Sequence, residues 1–285
     1  MHAEPLDLPL LRQWIDKTEV SRDVVRAGAA NALAATLGRP SLAAGDGLPP
    51  LWHWIYSGTA CPQEEAGADG HPNRGGSHPP VPLPRRMWAG GRLRFPVPLE
   101  LEAEAVRTSR ILDVNAKTGK SGSLGFVTVR HEIAQHGRVA LIEEHDIVYR
   151  GLPAPGAPAA PGKAAPQDAA WSRTIVPDPV LLFRYSALTF NGHRIHYDRD
   201  YVTEVEGYPG LIVHGPLIAT LLLDLVARHL PQARVSEFEF RAVGPLFDIE
   251  PFMVCGRPDP DGKTVRLWAQ NPRGELAMQA EARLA

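Results

Sequence analysis

From Pro216 to Pro231 the chain reads as a helix with almost no polar face. Leu217, Ile218, Leu221, Leu222, Leu223, Leu225 and Val226 occupy most of its circumference, and polar character is left mainly at Thr220, Asp224 and Arg228. Pro216 suits the first helical position, where its missing N–H has no intrahelical partner to lose, and Pro231 cannot continue the helix. A helix that is apolar all round has to be enclosed by other structure. The residues that follow supply the enclosure: period-2 patterns lie near 235–243, 251–257, 264–270 and 275–284, with Asp259-Pro-Asp-Gly262 and Asn271-Pro-Arg-Gly274 as turns. The pattern predicts a long helix wrapped by an antiparallel sheet.

The first half repeats this order. Ser21 is a candidate cap for a helix from Arg22 to about Leu37, with Asp23 in its first turn and Gly38 just beyond its end. Val24, Val25, Ala27, Ala29, Ala30, Leu33, Ala34 and Leu37 make most of its surface apolar, so this helix too is expected to be enclosed. Strand patterns follow near 92–101, 106–114, 124–133 and 138–149. Two stretches interrupt the order. Residues 64–84 are rich in Gly, Pro and His and read as a long irregular, solvated loop. Gly151 to Ala170 is almost wholly Ala, Pro and Gly, with too few large apolar side chains to offset the entropy of ordering. The expected organisation is α+β, with an N-terminal lobe at 1–150, a linker at 151–170 and a C-terminal lobe at 171–285.

Composition excludes several classes of partner. Among 285 residues, Lys+Arg 30 against Asp+Glu 32 gives a net charge of −2, so no global basic field exists for nucleic acid or an anionic membrane. Cys61 and Cys255 lie in different halves and in no metal-ligand spacing, which speaks against a disulfide framework or a zinc site. Met1 to Leu11 carries acidic residues and prolines instead of a basic segment and an apolar run, and nowhere do about eighteen apolar residues run together. No signal peptide, membrane span, metal or cofactor is expected, and the compartment is expected to be the cytoplasm. His71 and His78, without carboxylate or thiolate ligands at suitable spacing, are expected to be solvated loop residues.

One stretch points to a chemistry. Tyr185-Ser-Ala-Leu-Thr-Phe-Asn191-Gly-His193-Arg194-Ile-His196 places an amide and an imidazole five residues apart, upstream of Gly210-Leu-Ile-Val-His214-Gly215-Pro216 and the apolar helix. His196 is a candidate general base or acid, because imidazole exchanges a proton near neutral pH. The Gly215 amide, at a helix start, has no intrahelical acceptor and is a candidate donor to a carbonyl oxygen that gains negative charge. Asn191 can orient a water or bond the histidine but cannot exchange a proton. Each residue also has a bland reading: a hydrogen-bonded core histidine, a glycine relieving a tight turn before Pro216, and a turn at Asn191-Gly192. His193 is either a further polar group of the site or a turn residue. Trp52, Trp54 and Tyr56 either pack against the core or line an acyl pocket.

Tyr185-Ser-Ala, Asn191, His196 and Val213-His214-Gly215 together resemble the signature of MaoC-type, R-specific enoyl-CoA hydratases. The resemblance implies a double hot-dog fold with a degenerate first lobe and a catalytic second lobe. It also implies His196 as the base, the Gly215 amide as the holder of a thioester carbonyl, and an acyl-CoA substrate. The chain departs from the family in carrying Asn191 where the histidine's partner is an aspartate. Leu48-Pro-Pro-Leu-Trp-His-Trp54, the segment from Pro82 to Gly91, Asp146-Ile-Val-Tyr-Arg150 and the segment from Asn191 to Asp198 resemble the narrower mesaconyl-C4-CoA and itaconyl-CoA hydratase group. Fungal mitochondrial 3-hydroxyacyl-thioester dehydratases share part of this likeness. The narrower group implies a short branched dicarboxylic enoyl-CoA. Arg85, Arg86, Arg184 and Arg194 are then candidates for its free carboxylate, since a guanidinium offers two parallel donors, and His193 and His214 are candidates for substrate contact. The rival expectations are a fatty 3-hydroxyacyl-thioester dehydratase, an acyl-CoA thioesterase and a non-catalytic acyl-CoA-binding protein. Exposed edge strands lead to the expectation of a homodimer.

Overall fold

The computed structural model describes residues 6–56, 58, 60–119, 122–151 and 161–285. Residues 152–160 of the predicted linker therefore lie outside the described residues. The described part of that linker runs against the C-terminal lobe: the Ala165 amide donates to the Gly274 carbonyl (2.9 Å), and the Ala165 side chain is buried with Cys255, Trp268 and Leu276.

In chain order the elements are α1 (Leu8–Leu11), β1 (Thr18–Val24), α2 (Ala27–Leu37), β2 (Gly47–Leu48), β3 (Arg85–Arg94), β4 (Leu99–Glu100), β5 (Glu104–Gly119), β6 (Gly122–Gln135) and β7 (Arg138–Arg150). They continue with β8 (Trp171–Ile175), α3 (Pro179–Leu188), α4 (Gly215–His229), β9 (Val235–Ala242), β10 (Phe252–Pro258), β11 (Thr264–Gln270) and β12 (Leu276–Leu284). The alternation read in the sequence becomes alternating burial: along β6, Val127, Val129 and Ile133 turn inward while Phe126, Thr128 and Arg130 stay partly exposed. Ten strands form one sheet, ordered β1-β5-β6-β7-β3-β9-β12-β11-β10-β8. The strands of the first half make one end of it and those of the second half the other, and β3 pairs antiparallel with β9 at the junction.

That junction depends on two glycines. Gly90 and Gly91 lie opposite Arg241 and Phe240, and a Cβ on Gly90 would stand 2.5 Å from the Phe240 carbonyl oxygen. Glycine permits backbones to approach where any side chain would collide.

The second helix of the sequence reading, α4, is enclosed as expected, with every residue from Leu217 to Val226 buried. The burial includes Asp224, whose side chain is only 3% exposed. Its carboxylate accepts from Arg173 of β8 (2.7 Å) and Arg228 one turn on (2.7 Å), and Arg39 lies 3.4 Å away. Three guanidiniums thus tie the end of the central helix to the sheet edge and to the segment after α2.

The first helix differs from its prediction in two ways. Residues 18–24 pair with β5, Ser21 opposite Arg107, so Ser21 belongs to a strand and caps nothing. The helix begins only at Ala27, whose amide donates to the Glu102 carboxylate (2.8 Å), a cap supplied from far along the chain. Gly38 ends it in the left-handed conformation (φ 63°), as its sequence suggests. Nor is α2 enclosed: it buries the single stripe Ala30, Leu33, Ala34 and Leu37, while Gly28, Ala32 and Ala35 face outward. Trp52 and Trp54 pack in the core, with Trp54 edge-on to Trp88 and its Nε1–H donated to Glu143 (3.0 Å).

Asp224→Ala leaves two or three guanidiniums without their buried carboxylate. Because each arginine retains some contact with solvent, the expected loss is about 3 kcal/mol, the low end for breaking such a pair, measured as a shift of the urea midpoint at constant m-value.

Candidate active site

The site is built at the start of α4. Residues 194–196 make one turn of 3-10 helix, and the Ile212 amide donates to the Ile195 carbonyl (2.9 Å), so the two segments run side by side. The His196 ring is buried, and its Nδ1–H donates to the Ile212 carbonyl (2.7 Å). That bond fixes the tautomer and leaves Nε2 as an acceptor. Behind it lies the His214 ring, stacked at 3.7 Å and 17°, with its Nε2 2.8 Å from the Ser186 hydroxyl of α3 and its Nδ1 buried without a hydrogen-bond partner among the described residues. Tyr185 lies edge-on to His214 at 5.1 Å. The motif Tyr185-Ser-Ala is therefore one wall of the imidazole stack.

Gly215 follows His214 as the first residue of α4, where its amide has no intrahelical acceptor and the helix dipole adds partial positive charge. A Cβ placed on Gly215 would meet nothing within 4 Å, so space remains open beside this amide.

Burial sets the electrostatics. Desolvation pulls His196 down to about 4, with the bond to Ile212 opposing it, and desolvation holds His214 well below the ordinary histidine range. Both rings are neutral at pH 7, the state a proton acceptor needs.

Asn191 forms a turn. Its Oδ1 accepts from the His193 amide (3.0 Å), and its own amide donates to the Ser186 carbonyl (2.8 Å). The candidate arginines separate clearly. Arg85 is committed to Glu206, through Nε to the carboxylate (2.9 Å) and Nη2 to the carbonyl (2.5 Å). Arg194 is paired with Asp198 (2.8 Å) and covers the Tyr201 ring. Arg184 is exposed on α3. Arg86 lines a cavity of about 460 Å³ with Asp69, His71, Arg74, Tyr201 and Glu206, and it makes no ion pair among the described residues.

The expectation of a solvated 64–84 loop does not hold. The Arg194 amide donates to the Asp69 carbonyl (2.9 Å), and its guanidinium donates to the Ala68 carbonyl (3.0 Å). His71 is thereby delivered to His193, ring centroids 4.0 Å apart, and His193 lies 5.5 Å from His196. The Gly/Pro content suggests looseness, but the loop is ordered by backbone hydrogen bonds and by the Arg74 and Arg194 guanidiniums bound to its carbonyls. The one available signal was the pairing Asp69-Gly-His71, a carboxylate two residues from an imidazole.

Comparison with known proteins places this geometry. The family described as hydroxyacyl-thioester dehydratase type 2 matches residues 51–248. A mesaconyl-C(4)-CoA hydratase of Chloroflexus aurantiacus is 50% identical over 273 residues, covering 95% of this chain and 96% of that protein. Among solved structures, a MaoC-like dehydratase from Phytophthora capsici aligns with a TM-score of 0.70 at 13% identity, over 98% of this chain and 99% of its own. A Mycobacterium tuberculosis protein described as having a double hotdog fold aligns with a TM-score of 0.59 at 16% identity, over 95% and 96%. The fold is accordingly the double hot-dog expected from the sequence.

The depressed histidines carry a sign that can be measured. A histidine whose folded pKa lies below its unfolded value near 6.5 contributes stability that is complete above that value and is lost as pH falls toward the folded pKa, about 4 for His196. Unfolding free energy is expected to be flat above about pH 7 and to fall between about pH 6.5 and 4, read by denaturant titration across that range.

Proposed function

Since the chain belongs to the hydroxyacyl-thioester dehydratase type 2 family and is a hydro-lyase, we propose that it adds water reversibly to a short branched dicarboxylic enoyl-CoA such as mesaconyl-C4-CoA. The observation that carries the reading is His196, with Nδ1–H spent on Ile212 and Nε2 left as an acceptor beside the start of α4. In the hydration direction His196 Nε2 takes a proton from water as the oxygen bonds the β-carbon. The π electrons move through the α-carbon to the thioester oxygen, where the Gly215 amide stabilises the enolate by a few kcal/mol. The enolate then collapses, the α-carbon takes the proton back from His196, and the imidazole is neutral again. Dehydration is the same path reversed.

Three further assignments follow from the placement of side chains. His214, stacked behind His196, holds that ring in position, and the Asn191 amide closes the turn that carries His193. Arg86 is assigned to the distal carboxylate, because Arg85 and Arg194 already hold carboxylates of the protein. Itaconyl-CoA offers the same pair of functional groups and is the neighbouring candidate substrate. Both cysteines are free, which fits work in a reducing cytoplasm. Hydrolysis of the thioester is disfavoured: the carboxylate of the central helix, Asp224, is held by arginines.

The reading is tested by following loss of the conjugated thioester absorbance over a panel of enoyl-CoA substrates with and without a distal carboxylate. His196→Ala is expected to lower kcat by about 10³, and near-wild-type hydration by that variant would refute the assignment. Arg86→Gln is expected to cost about tenfold or more in kcat/KM for the dicarboxylic substrates only. Preference of the wild type for long neutral chains would transfer the reading to a fatty 3-hydroxyacyl-thioester dehydratase.

A further inference from the structure

Water attack needs two contacts on the water, one acceptor that takes the proton and a second that holds the remaining O–H so that the oxygen lone pair faces carbon. His196 supplies the first. Asn191, the sequence candidate for the second, has its Oδ1 occupied by the His193 amide. A row of further polar groups is contributed by both lobes. The Asp69 carboxylate lies 3.1 Å from His71 Nδ1, the His71 ring touches the His193 ring at 4.0 Å, and the His193 ring stands perpendicular to His196 at 5.5 Å.

We propose that Asp69, His71 and His193 form a second arm of the active site, in which His193 is a catalytic residue that holds the attacking water and the Asp69–His71 pair, packed against its ring, positions it. This rests on the hydration reading above. The polarity of the arm is set from its far end. Asp69 accepts from His71 Nδ1–H, the His71 ring packs against the His193 ring, and a His193 nitrogen accepts from the water. The chain of neutral imidazoles carries no net charge to the reacting centre; it orients the water while His196 alone takes and returns the proton.

The arm is built into the backbone. The Asp69 Oδ1 also accepts from the His71 amide (3.0 Å), and the Asp69 carbonyl accepts from the Arg194 amide next to His193. Gly70 has φ 85°, and a Cβ there would run into the Gly192 carbonyl, so only glycine lets the two loops meet. Burial holds His193 far below the ordinary histidine range, in keeping with a neutral acceptor. The ligating atoms of Asp69, His71 and His193 also lie within 4.8 Å of one another, a spacing open to a metal ion. The guanidiniums of Arg74 and Arg86, which share a cavity with Asp69 and His71 and lower the His71 pKa, oppose a cation there.

The test uses the full chain with mesaconyl-C4-CoA and crotonyl-CoA. His193→Ala, His71→Ala and Asp69→Asn are each expected to lower kcat by about tenfold or more with KM held within about twofold, as for loss of a contact made only in the transition state. Thermal midpoints should stay at the wild-type value. The double variant His71→Ala/His193→Ala should be no slower than the slower single, because both interrupt one arm. Wild-type kcat in the single variants, additive losses in the double, or losses that track KM and thermal midpoint would each overturn the arm. So would stoichiometric zinc on the wild type that disappears in Asp69→Asn. His196→Ala in the same panel separates the two readings: activity retained there removes the hydration site itself, whereas an inactive His196→Ala beside fully active His71 and His193 variants removes only the arm.

Discussion

The pairing of β3 with β9 is the contact on which the rest of the molecule depends. It makes one sheet of two halves, and it is possible because Gly90 and Gly91 leave room for the Phe240 carbonyl and ring. The 64–84 loop ends where β3 begins, so the strand pairing that fuses the halves also carries this loop to the second-lobe site. The Ala68 and Asp69 carbonyls then bind Arg194, whose own carboxylate partner Asp198 completes the clamp. A site that reads as the property of one lobe is thus finished by the other.

Burial governs the site chemistry more than any single charge. Desolvation leads the causes that lower His71, His78, His131, His145, His193, His196 and His214, and only some of these rings have a carboxylate near enough to oppose it. The fold therefore keeps these buried imidazoles neutral. The carboxylates follow the opposite course. Burial would raise Glu143 and Asp69, but His53 and His71 outweigh it and both are held below the ordinary range. Asp224 is a different case again, a buried anion whose partners are three arginines and whose work is to hold α4 in place.

The strands were legible because a half-buried strand writes its burial into the sequence at every second residue. The expected 264–270 strand coincides with β11, and 235–243 and 138–149 differ from β9 and β7 by a residue. The start of α2 was not legible. Thr18–Val24 has no apolar alternation, since it is an exposed edge strand held by β5, and the cap at Ala27 comes from Glu102. The segment Trp171–Leu188 gave β8 and α3 no periodic signal either, although Asp178 caps α3 through the Leu181 amide as its position before Pro179 permits.

The sequence alone determined the central helix, the strands that enclose it and the neighbourhood of His196 and Gly215, because these rest on local periods and on residues joined by a short stretch of chain. Only the tertiary structure decided which arginines are already spent, that Asn191 closes a turn, and that Asp69 and His71 stand beside His193. The Arg85–Glu206 pair and the contact of Ala68 and Asp69 with Arg194 join residues more than a hundred positions apart, the latter through backbone carbonyls that every residue possesses. A hydrogen bond to a main-chain oxygen specifies geometry without specifying sequence, so it becomes visible only once the chain is folded.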